Sequence, residues 1–210
     1  MLKTEPVRAS PESHELDAAM DRYAQGDDAA FAYLHQPLTR RLLPFLRRLT
    51  GSVERAEDLL QETFLRIHRA RGSFGHGARV MPWAYAIARN CYIDSYRAKK
   101  SRPKEVSQSR DSEDPPYPEP HAGPEASGEA QLLAAQMARV VEQALRDMTL
   151  ARREAFILVR YEGHSIREAA AILGTTEGAV KLRAFHAYQE IRKTLEQLGL
   201  MASSGKEASA

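Results

Sequence analysis

Apolar residues recur along this chain at helical spacing, and nowhere is the pattern more complete than between Ser165 and Tyr188. Ile166, Ala169, Ala170 and Leu173 fall at i, i+3, i+4 and i+7 on one helix face, with Ser165 placed to cap the start. Gly174 suits the left-handed backbone that ends such a helix, and Thr175 or Thr176 can accept from the amides of a following turn. The second helix has an inner face of Val180, Ala184, Ala187 and Ile191, and projects Lys181, Leu182, Phe185, His186 and Gln189 from the other side. Two short helices, a glycine turn and small alanines at the crossing predict a helix-turn-helix.

Upstream the same periodicity predicts further helices. Leu16, Met20 and Tyr23 suggest one that Gly26 ends, and Asp27 or Asp28 can cap the next, which carries Phe31 and Leu34. Pro37 and Pro44 are expected to break or kink the basic, leucine-rich stretch that runs to Leu49. From Ser52 to Ala70 the stripe Leu59, Leu60, Thr63, Phe64 and Ile67 is wide, acids gather in the first turns, and Arg66 and Arg69 stand in the last. Asp58, Gln61, Glu62 and Arg69 share the polar side of this helix with Leu65. That leucine is either a small docking feature or a stray apolar residue on a solvated face.

The loop from Gly72 to Val80 is rich in glycine and is expected to stay out of the core. Pro82 opens a helix on which Trp83, Ile87 and Cys91 share one face and Tyr85, Arg89, Tyr92 and Tyr96 the other, running on into Arg97, Lys99 and Lys100. Aromatics interleaved with arginine suit unpaired bases and phosphates. Equally, a tyrosine stripe can pack on a preceding helix. Leu132, Leu133, Met137, Val140, Val141, Ala144, Leu145 and Met148 predict one more amphipathic helix, and Thr149 can cap another over Leu150 to Tyr161, with Gly163 closing it.

Composition sharpens the domain picture. Pro103, Pro115, Pro116, Pro118, Pro120 and Pro124 lie between Ser101 and Glu129, where acids outnumber bases. A segment this polar buries too little to fold, so it is expected to be a linker. The fold class is all-α, with two small helical domains joined by that flexible linker and the helix-turn-helix in the second. The expected division is a disordered leader over 1–14, a first domain over 15–100, the linker over 101–129, a second domain over 130–199 and a disordered tail over 200–210. The 210 residues carry a net charge of +2, too mild to indicate nucleic acid without its placement. The lone Cys91 excludes a disulfide framework and a multi-cysteine zinc site. No apolar run is long enough for a bilayer span, and the N-terminus lacks a signal-peptide core, so a cytoplasmic protein without membrane insertion is expected.

No catalytic constellation is legible. Cys91 lies on an apolar face, His164 and His186 lack neighbouring ligands, and the glycine-rich loop lacks the Lys-Ser/Thr ending of a nucleotide loop. No enzyme, metal or cofactor is expected. The second helix of the helix-turn-helix would enter a major groove, Lys181 and Arg183 meeting phosphate or guanine and Leu182 and Phe185 meeting thymine methyls. The alternative for Phe185 is packing against a neighbouring helix.

Together, AEDLLQETFLRIHRA at Ala56 to Ala70, PWAYAIARNCYIDSYRAKK at Pro82 to Lys100 and EGHSIREAAAILGTTEGAVKLRAFHAY at Glu162 to Tyr188 resemble bacterial RNA polymerase sigma factors of the extracytoplasmic-function branch. The resemblance implies that Asp58, Gln61, Glu62 and Leu65 dock on core RNA polymerase, and that the glycine-rich loop holds a flipped base of the minus-ten element. It places Trp83, Arg89, Asn90 and Arg97 near the melted strand. Thr176, Glu177, Lys181, Leu182, Arg183, Phe185 and His186 fall on the unit that reads the minus-thirty-five element of promoter DNA. Val80, Ala84, Leu182 and His186 depart from the family's usual residues. Regulation by a separate anti-sigma factor is a further implication. Two other readings are a polymerase-independent regulator that binds duplex operators and an interaction module that uses the Asp58 to Leu65 face.

Overall fold

The computed structural model describes residues 11–101 and 128–201. Among them there are helices and turns and no strand. The leader up to residue 10, most of the expected linker and the tail beyond residue 201 lie outside the described residues.

α1 (Pro11–Ala24) starts inside the segment expected as leader, with proline at a first helical position where its missing amide costs nothing. A 3-10 turn capped by the Asp27 side chain leads to α2 (Phe31–Thr50). This helix runs through both Pro37 and Pro44, against the expected break. An interior proline costs about 3 kcal/mol. α2 buries Leu34, Leu38, Leu42, Phe45, Leu46 and Leu49, and each such side chain contributes about 1.5–3 kcal/mol. Burial therefore outweighs the two missing hydrogen bonds. Gly51, at φ 68°, ends α2 in the left-handed region.

α3 (Val53–Ala70) is capped by Ser52 and buries Ala56, Leu59, Leu60, Thr63 and Ile67 against α2. α4 (Val80–Ser101) crosses both. Asp17 of α1 serves as its N-terminal cap, accepting from the Val80 amide at 2.8 Å and pairing with Arg79 at 3.2 Å. The glycine-rich loop is consequently tied down rather than loose. Phe74 is buried in it, edge to face with Trp83 at 5.1 Å, and Val80 is fully buried. The loop reaches the core because capping by α1 fixes both its end and the start of α4.

α5 (Gly128–Asp147), with Met148 directly after it, packs on α8 (Glu177–Gln197) through Leu145, Ala187, Ile191 and Leu195, while Leu132 and Leu133 on its first turns stay exposed. α6 (Leu150–Phe156) continues as a π turn over Ile157–Tyr161. α7 (Ile166–Leu173) carries a complete capping box between Ser165 and Glu168, and Gly174 closes it at φ 60°. Thr176 then caps α8 by accepting from the Ala179 amide. The helix-turn-helix is thus built by the local signals that predict it.

The halves on either side of the 102–127 segment are packed on one another. Ala155, Ile157, Leu158, Ala169, Ala170, Ile172, Leu173 and Val180 join one continuous apolar core with the residues of α1 to α4. α7 lies against α4.

Phe45 is fully buried and sits edge to face with Tyr85 at 5.0 Å. Phe45→Ala is expected to cost about 3–5 kcal/mol in urea unfolding. Leu65→Ala, at a side chain 51% exposed, should stay within about 0.5 kcal/mol of wild type. Equal losses would show that α3 buries a different face.

Candidate functional site

Three surfaces carry the residues singled out by the sequence. The first is the outer face of α3, where Asp58, Gln61 and Leu65 are exposed and Glu62 is half-buried. Glu62 accepts from Arg66 Nε at 2.8 Å, and Arg66 Nη1 reaches Asp94 of α4 at 2.6 Å. These carboxylates, Asp94 foremost, hold the Arg66 guanidinium more firmly protonated than usual. The bridge fixes α3 on α4 while leaving the Asp58, Gln61 and Leu65 side chains outward. Beside them runs an open groove of ≈ 550 Å³ lined by Tyr23, Phe31, His35, Gln61, Phe64 and Leu65, among others. His35 stacks on Phe64 at 4.8 Å, and the Tyr23 hydroxyl lies 2.6 Å from His68 Nδ1. Spacing along α3 alone gave no hint of this groove, because its other wall comes from α1, α2 and the turn between them.

The second surface is α4. Trp83, Asn90 and Arg97 recur every seven residues and so share a face. Asn90 and Arg97 are exposed, whereas Trp83 is half-buried against Phe74. Arg89 lies apart from them. Its guanidinium meets the Glu154 carboxylate of α6 twice, at 2.8 and 3.1 Å. Glu154 is 2% exposed; burial pushes its carboxyl up from the ordinary value, and Arg89 opposes that shift. The tyrosine stripe proposed for unpaired bases is largely core. Tyr85 and Tyr92 are buried and only Tyr96 is exposed, because α4 packs on two sides at once, against α2 and α3 and against α7.

Tyr85 also joins a polar cluster that the sequence did not reveal. Its hydroxyl donates to Glu162 Oε2 at 2.6 Å, and Arg48 Nη1 donates to Glu162 Oε1 at 2.9 Å. Burial raises the Glu162 carboxyl and pushes the Tyr85 phenol well up. The π turn places this carboxylate: the Glu162 amide reaches back five residues to the Ile157 carbonyl at 3.0 Å, a wider turn than an α-helix makes. His164 stands edge to face on Tyr85 at 4.5 Å, with its Nε2 buried and without a hydrogen-bond partner.

The third surface is α8. Thr176, Glu177, Lys181, Leu182, Phe185 and His186 are exposed, so Phe185 does not pack against a neighbouring helix. Leu182 is 59% and Phe185 53% exposed, the Phe185 ring standing edge to face with His186 at 5.8 Å. Arg183 is half-buried and lies near enough to Glu154 for its charge to lower that carboxyl. Among the described residues no cluster of His, Cys, Asp or Glu is placed to hold a metal, and no helix is long and apolar enough to cross a membrane. Cys91 is buried, and burial raises its thiol.

This geometry can be set beside known proteins. Residues 34–102 match the model of Sigma-70 region 2, and residues 138–191 match that of Sigma-70, region 4. The RNA polymerase sigma factor CarQ of Myxococcus xanthus is 34% identical over 190 residues, covering 86% of this chain and 98% of that protein. The chain belongs to the extracytoplasmic-function sigma factors. SigM, an ECF RNA polymerase sigma factor of Mycobacterium tuberculosis, is 32% identical over 192 residues, covering 91% of this sigma factor and 87% of its relative. Two solved structures share the fold: CnrH in complex with the cytosolic domain of CnrY, with a TM-score of 0.63 and 22% identity over 87% of this chain and 98% of that one, and RpoE from Bartonella quintana in complex with the anti-sigma factor NepR, with a TM-score of 0.60 and 22% identity over 79% and 96%. The α3 and α4 surfaces of this sigma factor fall within the region 2 match, and α8 carries most of its outward residues within the region 4 match.

Burial holds the His164 imidazole below its ordinary value of 6.5. The unfolded chain therefore takes up a proton that the folded chain refuses, and this contribution to stability, present above 6.5, is lost as pH falls through 6.5 toward the folded value. Glu154 and Glu162, raised by burial, act with the opposite sign. Between pH 7 and about 5 the melting temperature should fall more steeply for wild type than for His164→Gln, which shares those carboxylates. Parallel profiles would show that His164 accepts its proton freely in the folded state.

Proposed function

We propose that the two outward faces divide the work of a sigma factor between them. The chain directs promoter recognition and DNA melting for transcription initiation as a partner of core RNA polymerase. The α3 face of Asp58, Gln61, Glu62 and Leu65 is the polymerase-docking surface. The observation that carries this is Leu65, an apolar side chain held 51% exposed among polar neighbours on a helix braced from behind by Arg66. An apolar anchor ringed by polar groups is the usual make-up of a protein contact centre.

The α4 face of Trp83, Asn90 and Arg97, together with Arg89, is the surface for the melted minus-ten strand. α8 reads the upstream duplex element: Lys181 supplies a mobile positive charge, and Leu182 and Phe185 supply apolar contact suited to thymine methyls. Thr176 and Glu177 at its capped start lie where a helix end meets the phosphate backbone. Arg183, half-buried on the same helix, adds positive charge beside that face. The domain division follows the same logic, with a polymerase and minus-ten unit over 15–100, an upstream-element unit over 130–199, and an acidic linker between them. A regulator acting on operators without polymerase is not favoured, since both sigma regions are matched in order. An anti-sigma factor, as seen with the RpoE relative, is a further partner for these surfaces.

Leu65→Asp should reduce binding of the purified protein to core polymerase at least tenfold while circular dichroism stays helical. Unimpaired binding by a folded variant would remove the α3 face from the interface. Lys181→Ala should weaken holoenzyme binding to the upstream element by about 1–3 kcal/mol if it contacts a base, and with a lower salt dependence if it contacts phosphate. No change by either measure would remove α8 as the reading helix.

A further inference from the structure

α1 makes contacts at both ends of the glycine-rich loop. At the α3 end, the Tyr23 hydroxyl lies 2.6 Å from His68 Nδ1 and the Arg71 guanidinium covers the Tyr23 ring at 4.9 Å. At the α4 end stand Asp17 and Asp21, one turn apart on the same helix face. Asp17 Oδ1 accepts from the Val80 amide at 2.8 Å, while its second oxygen pairs with Arg79 Nε at 3.2 Å. Asp21 accepts from the Gly77 amide, 3.3 Å from either oxygen, and pairs with His76 Nδ1 at 3.1 Å. Each carboxylate therefore grips one backbone N–H and one side chain next to it. Ala19, Met20 and Tyr23 seat α1 in the core, so the two acids project from a fixed frame. The loop they hold turns tightly: the Ala78 amide donates to the Gly75 carbonyl at 2.9 Å, and Gly77 lies in the left-handed region at φ 72°.

We propose that α1 is a positioning element for the melted strand: Asp17 and Asp21 hold the loop and the first turn of α4 in the shape on which base selection depends. The inference rests on the reading of the α4 face as the melted-strand surface. The exposed crest of the loop, Gly75, His76 and Gly77, adjoins that face, because Phe74 beneath it packs on Trp83. A helix N-terminus ordinarily attracts phosphate, but here Asp17 already takes the Val80 amide and supplies the negative charge. Recognition at this end of α4 therefore falls to rings and backbone edges, whose contacts depend on exact placement. Three glycines within residues 72–77 give the loop no preferred shape of its own. Ordering it only on binding would cost conformational entropy, and the two carboxylates remove that cost in advance. As charges they repel nucleic acid, so what they add to strand binding comes through geometry.

Opposite signs separate geometry from charge. Holoenzyme rebuilt from core polymerase and the full chain is placed on a promoter fragment recovered by run-off transcription from genomic DNA. Permanganate reactivity of its thymines reads opening, and single-base replacements in the melted element read selectivity. Asp17→Ala and Asp21→Ala each remove a repelling charge, yet each should lower opening at least fivefold. Each should also cut the preference for the best base over the next at least threefold at one or more positions. Binding to core polymerase and to the upstream duplex element should stay within twofold. Asp17→Asn, which keeps a cap acceptor and loses the charge, should recover most of the opening lost in Asp17→Ala. Gly77→Ala, which strains the loop at φ 72° and leaves every charge in place, should weaken the same base preference. Opening at or above the wild-type level in both alanine variants would show that the acids act only as charges and would overturn the proposal. So would an Asp17→Asn protein as defective as Asp17→Ala, or lost opening with base preference intact at every position. Should an alanine variant lose its helical circular dichroism, Gly77→Ala carries the test, and an unchanged base preference there overturns the proposal. Failure of the underlying reading shows elsewhere, as an Asn90→Ala/Arg97→Ala holoenzyme that opens the promoter as well as wild type.

Discussion

Two carboxylates buried on one side of the molecule can remain charged only if cations are brought to them from the other. A lone buried carboxylate is expensive, and removing one partner of a buried pair typically costs about 3–5 kcal/mol. Glu154 lies within α6 and Glu162 directly after its π turn, and the stretch between them supplies Ala155, Ile157 and Leu158 to the common core. Burying these apolar residues against α2 and α4 drags the two acids inward. Arg89, Arg48 and Tyr85 make that burial tolerable, and they fix the angle at which the second lobe meets the first.

Because this contact uses the inner sides of α2 and α4, the remaining functional faces are left to point away from it. Arg66 braces α3 on α4 so that Asp58, Gln61 and Leu65 face solvent, and α5 and α6 cradle α8 so that Lys181, Leu182 and Phe185 do the same. The faces proposed for holding polymerase and for reading the upstream duplex thus share a core but no residues. Buried polar pairs are often a poor source of net stability, and their value lies in choosing one arrangement over others.

Local signals were the legible part of the sequence. Ser52, Ser165 and Thr176 cap the helices they precede, and Gly174 turns between α7 and α8 because only short-range geometry is involved. The exposed stripe on α3 followed from periodicity for the same reason. Between base contact and core, the sequence left Tyr85 and Tyr92 open, since α4 packs in two directions and a helical wheel cannot say how many neighbours it has. Pro37 and Pro44 misled because propensity is local while the burial that overrides it depends on α3 and α4. The pairs Arg89 with Glu154 and Arg48 with Glu162 lie beyond any local pattern. A π turn that no composition signals sets the last of them.

The measurement that bears most directly on the whole account is run-off transcription from a library of genomic fragments, using the purified chain with core RNA polymerase. The account predicts discrete transcripts that require both proteins and start a short distance downstream of a shared two-part sequence. Tight, salt-sensitive binding of the chain alone to duplex sites, with no transcript added to those of the core enzyme, would contradict it.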